Sequence, residues 1–122
     1  VCKSVFKDTK DFLDKFGLDT LDKPGFHREM NNRLDHMQEE LSETRIAYQN
    51  KDLEETVDGL IDLIYVAAGT LAMCGVDGDI HWDEVHGCNM TKVRGMTKRG
   101  NAYDVKKPEG WVGPNHSKYW EK

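Results

Sequence analysis

The stretch LEETVDGLIDLIYVAAGTLA, residues 53–72, decides the fold of this chain. Leu53, Val57, Leu60, Ile64, Ala68 and Leu71 recur at the spacing of one helix face, and from Leu60 onward Ile61, Leu63, Tyr65 and Val66 fill the other sides. That pattern predicts a helix buried nearly all round. Asp62 falls in its middle, with Asp58 one turn earlier and Glu55 almost two, so the three carboxylates share a stripe about 60° wide. A buried carboxylate has to be protonated, paired with a cation or bound to metal, because burying it alone costs on the order of several kcal/mol.

A second helix-patterned segment upstream carries QEELSE, with Glu39, Glu40 and Glu43. Arg33 and Arg45 are the obvious counter-ions, two against at least four acids. An ion pair with a neighbouring helix would account for one isolated Asp. Hard oxygen ligands gathered from two helices suit Mg²⁺ or Mn²⁺.

Working outward, residues 5–16 place Val5, Phe6, Phe12, Leu13 and Phe16 at helical spacing, and Gly17 stops the run. Asp22 with Lys23-Pro24 marks a turn and a second helix start. Met30, Leu34, Met37, Leu41 and Tyr48 form the expected core stripe of that helix, which runs to about residue 49. Glu29, His36, Glu40 and Glu43 run beside the stripe rather than within it. Asn50-Lys51-Asp52 is a tight connection, and Asp52 with Glu55 has capping-box spacing, which gives Glu55 a local duty of its own. So short a link makes the second and third helices antiparallel neighbours, with their acids at similar heights. Gly75 and Gly78 end the third helix, and Asp79 is the expected cap of a fourth, with Ile80, Val85, Met90 and Val93 as its core and Trp82 also read as core. Beyond Gly95 the periodicity decays into a Gly-, Pro- and charge-rich tail, expected as loop with a short strand pair around residues 103–105. The five histidines follow no ligand spacing and read as surface or capping residues. The expectation is one all-α domain, a bundle of about four helices over residues 4–94 with an irregular basic tail over 95–122.

The net charge of −5 argues against a nucleic-acid-binding surface. Residues 91–107 break that average, with Lys92, Arg94, Lys98, Arg99, Lys106 and Lys107 against Asp104 alone, a local balance that suits a small anionic ligand. Three cysteines without CxxC spacing read as reduced thiols. No uninterrupted apolar run reaches the roughly 18 residues of a membrane span. A soluble cytoplasmic protein with no membrane partner is expected.

Carboxylates on facing helices can hold divalent ions and leave positions for water and phosphate oxygens, with Glu39 available to take a proton from that water. Asn89, Lys92, Arg94, Lys98 and Arg99 are the candidate clamps on the far side of a phosphate chain. Residue types alone thus point to metal-assisted phosphate chemistry.

EELSE, then DGLIDLIYVAAG, then VHGCNMTKVRG, over roughly residues 26–113, resembles the MazG-like and phosphoribosyl-ATP-pyrophosphohydrolase-like all-α nucleoside triphosphate pyrophosphatases, especially small single-domain viral forms. Glu39, Glu40 and Glu43 match the family's EExxE. The second signature, ExxD, departs, because aligning Asp62 with its Asp puts Gly59 where Glu belongs, with Asp58 the nearest acid. The resemblance implies Glu40, Glu43, Asp58 and Asp62 as Mg²⁺ ligands, with Mn²⁺ substituting, and Glu39 as the residue assisting water. It implies triphosphate contacts from Asn89 and Lys92, and a tail segment from Lys107 to Trp111 that closes over the nucleotide. The implied reaction releases a monophosphate and pyrophosphate, in a homodimer or homotetramer. Among substrates a deoxynucleoside triphosphate is favoured, a purine such as dGTP or dATP ahead of dUTP or dCTP. A di-iron carboxylate bundle would need Glu-x-x-His pairs that the chain lacks. A non-catalytic metal- or nucleotide-binding helical module is the other alternative.

Overall fold

Three helices of this chain end in the same way, and those ends set the path of the backbone. Gly17 (φ 67°), Lys51 (φ 60°) and Gly75 (φ 73°) each take the left-handed conformation just past a helix. In each case the next N–H bonds back to a carbonyl in the last turn: Leu18 to Leu13, Asp52 to Ala47 and Val76 to Leu71. This double closure satisfies carbonyls that a helix end leaves open. Lys51 does without the glycine that the position favours.

The computed structural model describes residues 4–18, 26–96, 100 and 104–119, with the side chains of 26–28 excepted. The elements are α1 (Val5–Phe16), α2 (Phe26–Gln49), α3 (Leu53–Met73) and α4 (Gly78–Asn89), then β1 (Val93–Arg94), β2 (Val105–Lys106) and a single 3₁₀ turn at Ser117–Tyr119. The all-α class is as expected. The strand pair is antiparallel, with Val93 opposite Lys106 and Arg94 opposite Val105. The chain forms two compact units, Val1–Gly78 and Asp79–Lys122. The expected helix start at Asp22 and Pro24, and Cys2, Lys98, Arg99, Tyr103 and Trp120, lie outside the described residues.

In the first unit, Ser4 caps α1 by accepting from the Lys7 N–H, and Asp52 caps α3 by accepting from Glu55 N–H at 3.1 Å, as its spacing predicted. α2 and α3 pack along one another, and α1 lies on α3. What lies between them corrects the expected core. Gly59, Val66, Ala68, Gly69, Thr70 and Met73 are the buried residues of α3, and Thr44 is buried on α2. A methyl group added at Gly59 would overlap Thr44 Oγ1, so the two backbones approach closely there. Leu53, Val57, Leu60, Ile64 and Leu71, read as the inner stripe of α3, are exposed in the chain, as are Leu34, Leu41 and Tyr48 of α2. Small side chains win the interhelical position because they let the helices close up. The large ones are left on the outer face. Leu13 and Met73 form the apolar centre, with Met30, Ala72 and Cys74 against it.

α3 is long and apolar enough, by length and composition, to cross a membrane, a property that core helices of soluble bundles share.

The second unit departs further from expectation. Trp82 and Met90 are exposed, at 61% and 71%, and Ile80 and Val93 are exposed too, which leaves Val85 half-buried as the one expected core residue of α4 that turns inward. Asp79 sits inside the first turn of α4 rather than capping it. His81 is buried, and its Nδ1 lies 2.8 Å from Nδ1 of His116. Glu84 accepts from the Asn115 N–H, the Tyr119 hydroxyl and Lys118 Nζ, each at 2.9 Å. Hydrogen bonds from α4, not an apolar stripe, fix residues 115–119.

Candidate active site

The close approach of α2 and α3 at Thr44 and Gly59 sets the register for what lies beyond it. One turn further along the pair come Glu40 on α2 and Asp62 on α3, and both line a single hollow of about 270 Å³. Arg33 and His36 of α2, Tyr65, Val66 and Gly69 of α3, and Thr9, Phe12 and Leu13 of α1 complete its wall. Phe12 and Tyr65 meet edge to face with centroids 5.5 Å apart. His36 Nε2 stands 3.5 Å from Glu40 Oε1. Glu40 faces this hollow with only 19% of its side chain exposed.

Arg33 is the most constrained charge in the hollow. Its Nε donates to Thr70 Oγ1 and its Nη2 to the Val66 carbonyl, both at 3.1 Å. Burial lowers its pKa from the ordinary value, and the nearby Glu29 carboxylate opposes that shift.

The other acids are placed differently. Glu39, Glu43, Glu55 and Asp58 are exposed and do not line the hollow. Among the described residues, no three His, Cys, Asp or Glu side chains come together as a metal-holding group. The donor set within the hollow is thus two carboxylates with an adjacent imidazole. That fits Mg²⁺, which is commonly held by one or two carboxylates with water and substrate phosphate filling the remaining positions.

In the second unit, two of the candidate phosphate-binding residues, Lys92 and Lys107, stand beside Trp111. Its indole N–H lies 3.0 Å from the Cys88 carbonyl and 2.7 Å from Thr91 Oγ1, just past the end of α4. Lys92 Nζ and Lys107 Nζ each stand 5.2 Å from the centre of the Trp111 ring, in cation–π range. Asn89 is the last residue of α4, and Arg94 lies on β1; both are exposed. A shallow hollow of about 390 Å³ runs beside them, lined by Gly87, Cys88, Thr91 and residues 108–112.

Sequence reasoning took Arg33 only as a counter-ion, His36 as a surface or capping residue, and Phe12 and Tyr65 as apolar helix positions. The helical spacing of Arg33, His36 and Glu40 carried the signal, since these three fall on one face. His81 and Glu84 were also missed, because their partners lie more than thirty residues away in an irregular segment.

An α2–α3 hairpin that holds acids from both helices over one hollow, with the shorter α1 packed on α3, makes an all-α bundle. The sequence model of the phosphoribosyl-ATP pyrophosphohydrolase family matches residues 9–89, and the chain belongs to that family, among the MazG-like all-α pyrophosphohydrolases. The match spans α1 to α4 and ends at Asn89, so Lys92, Lys107 and Trp111 lie beyond it. No individual curated protein matches the chain.

Proposed function

We propose that this protein is an Mg²⁺-dependent nucleoside triphosphate pyrophosphohydrolase, acting on a deoxynucleoside triphosphate with a purine base such as dGTP or dATP preferred. The observation that carries the reading is that Glu40 and Asp62, from facing helices, line one hollow in a chain of this family. One water is consumed, the bridge between the α- and β-phosphates breaks, and a nucleoside monophosphate and pyrophosphate leave.

Glu40 and Asp62 are the residues that would hold the metal, with Mn²⁺ able to substitute; Glu43 and Asp58, which the family resemblance adds as ligands, stand outside the hollow. When bound, a divalent ion supplies neutralisation of phosphate charge and a water of lowered pKa. Glu39 takes the proton of the attacking water. Asn89, Lys92, Arg94, Lys98, Arg99 and Lys107 neutralise the charge that develops on the departing pyrophosphate, and Trp111 covers the nucleotide. The exposed apolar faces of α2 and α3 support assembly as a homodimer or homotetramer, since a face of this extent is rarely left to solvent.

The test is to incubate the purified protein with each common NTP and dNTP, with and without Mg²⁺ or Mn²⁺, and to separate the products by ion exchange. Metal-dependent monophosphate and pyrophosphate are expected, with purine deoxynucleotides turned over fastest. Diphosphate with orthophosphate, or turnover indifferent to chelator, would overturn the reading.

A further inference from the structure

We propose that Arg33 reads the base of the substrate and selects a 6-oxo purine, guanine above all, inside the hollow that Glu40 and Asp62 line. The inference rests on the pyrophosphohydrolase reading for the identity of the ligand as a nucleotide, and it narrows the choice among purines that the reading leaves open.

The guanidinium of Arg33 is anchored along one edge. Nε and Nη2 form its side-on fork, and both members are spent on α3, on Thr70 Oγ1 and the Val66 carbonyl. The plane lies close against the helix, because a methyl group added at Gly69 would come within 2.8 Å of Nη2. A guanidinium has five N–H donors in a rigid plane, so fixing one edge also fixes the other. The end-on fork, across Nη1 and Nη2, remains. Among the described residues no carboxylate lies in ion-pair range of Arg33, and Glu40 has His36 as its neighbour instead. The structure therefore holds a cation with a pair of parallel donors, pre-oriented at the wall of a hollow, whose own bonds run to neutral acceptors.

Such a fork matches two adjacent acceptors, either a phosphate or the O6 and N7 atoms of guanine. The surroundings decide between them. Phe12, Leu13, Tyr65 and Val66 supply apolar wall that suits the faces and edges of a ring, and the Glu40 and Asp62 carboxylates leave phosphate to the metal they would hold. The volume of about 270 Å³, just under the roughly 300 to 1,000 Å³ of ligand pockets, is enough for one ring system. Adenine presents an acceptor at N7 but a donor at its 6-amino group on the same edge. One Arg33 N–H would then face another N–H, and a site built to hydrogen-bond rejects a ligand that leaves its donor unpaired.

The test is calorimetric titration of the wild-type protein with dGMP, dIMP, dAMP and 7-deaza-dGMP, which reads binding without turnover. The monophosphates of guanine and hypoxanthine, which share O6 and N7, are expected to bind roughly tenfold or more tightly than dAMP. Removing N7 in 7-deaza-dGMP is expected to forfeit most of that advantage. Arg33→Lys, which keeps the charge but loses the fork, should bring dGMP and dAMP together, with its circular dichroism unchanged. Equal binding of dGMP and dAMP to the wild type, or full-strength binding of 7-deaza-dGMP, would overturn the proposal. Guanine-selective binding without hydrolysis of dGTP would sustain the role of Arg33 and sink the pyrophosphohydrolase reading. Hydrolysis that treats dGTP and dATP alike would do the reverse.

Discussion

The two units of this chain are held together by different physics. In Val1–Gly78 the helices meet through Gly59, Thr44, Ala68, Gly69 and Thr70, side chains small enough for backbones to close up, while Leu34, Leu41, Leu60 and Ile64 face outward. In Asp79–Lys122 few residues are buried, and the irregular segment is pinned by named polar contacts to His81, Glu84, Cys88 and Thr91. The first unit should therefore respond to changes in shape and barely to pH. The second should respond to charge. The contrast also separates two kinds of candidate functional residue: the acids and Arg33 sit on helices of the first unit, and Lys92, Arg94 and Lys107 sit on a strand and loops held by a handful of hydrogen bonds.

The largest break in that contrast should come from Gly59→Val. Its branched side chain would meet Thr44, whose Cβ lies 3.1 Å from the position of the new Cβ, and overpacking of this kind costs about 2–3 kcal/mol. Urea denaturation should show the loss, and Thr44→Ala in a Gly59→Ala background should recover most of the smaller loss caused by Gly59→Ala alone.

Glu84→Ala tests the other half of the contrast. Losing the acceptor for Asn115, Lys118 and Tyr119 should speed proteolytic cleavage within residues 113–119 several-fold, while hydrogen exchange in α2 and α3 stays as in the wild type. The pH dependence follows from the same contacts. The Asn115 N–H first, then Lys118 and Tyr119, hold the Glu84 carboxyl at about 2 rather than its ordinary 4.5. Its folded-state value is depressed, so its contribution is complete above 4.5 and is lost as the pH falls from 4.5 toward 2. Protection of the tail should follow that acid window in the wild type, and the window should vanish in Glu84→Gln. A tail whose protection falls between pH 7 and 5 through Glu84 would contradict the assignment.

Smaller effects sharpen the first unit. Asp52→Ala removes the cap of α3 and should cost about 1 kcal/mol. Lys51→Gly should stabilise by about 0.5–1 kcal/mol, because the left-handed conformation at φ 60° strains a residue with a Cβ. Thermal melts of the two variants should therefore move in opposite directions.

Helix positions and ends were legible in the sequence because they depend on local chemistry: Gly17 past α1, Asp52 with Glu55 at α3, and the glycines after α3. Which face of each helix turns inward was not legible. Leu, Ile and Val at helical spacing announce an apolar face but do not say what covers it, and in α2 and α3 a second, polar and small-residue face makes the contact. The same ambiguity affected the site. Glu40 and Asp62 were expected to share a level on facing helices, and they do line one hollow, whereas Arg33 was masked by its obvious role as a counter-ion. The pairing of His81 with His116 and of Glu84 with the tail could not be read, because no periodicity links a helix to an irregular segment thirty residues away.

The central claim is that Glu40 and Asp62 form one reacting site across the α2–α3 contact. Its most direct test measures Mn²⁺ affinity by electron paramagnetic resonance, alongside dGTP turnover, for Glu40→Gln, Asp62→Asn and the exposed α3 control Glu54→Gln. The account predicts that both site variants lose Mn²⁺ binding and lose turnover on the order of a hundredfold, while Glu54→Gln keeps both. Wild-type metal affinity and turnover in either site variant, with the fold intact, would contradict it.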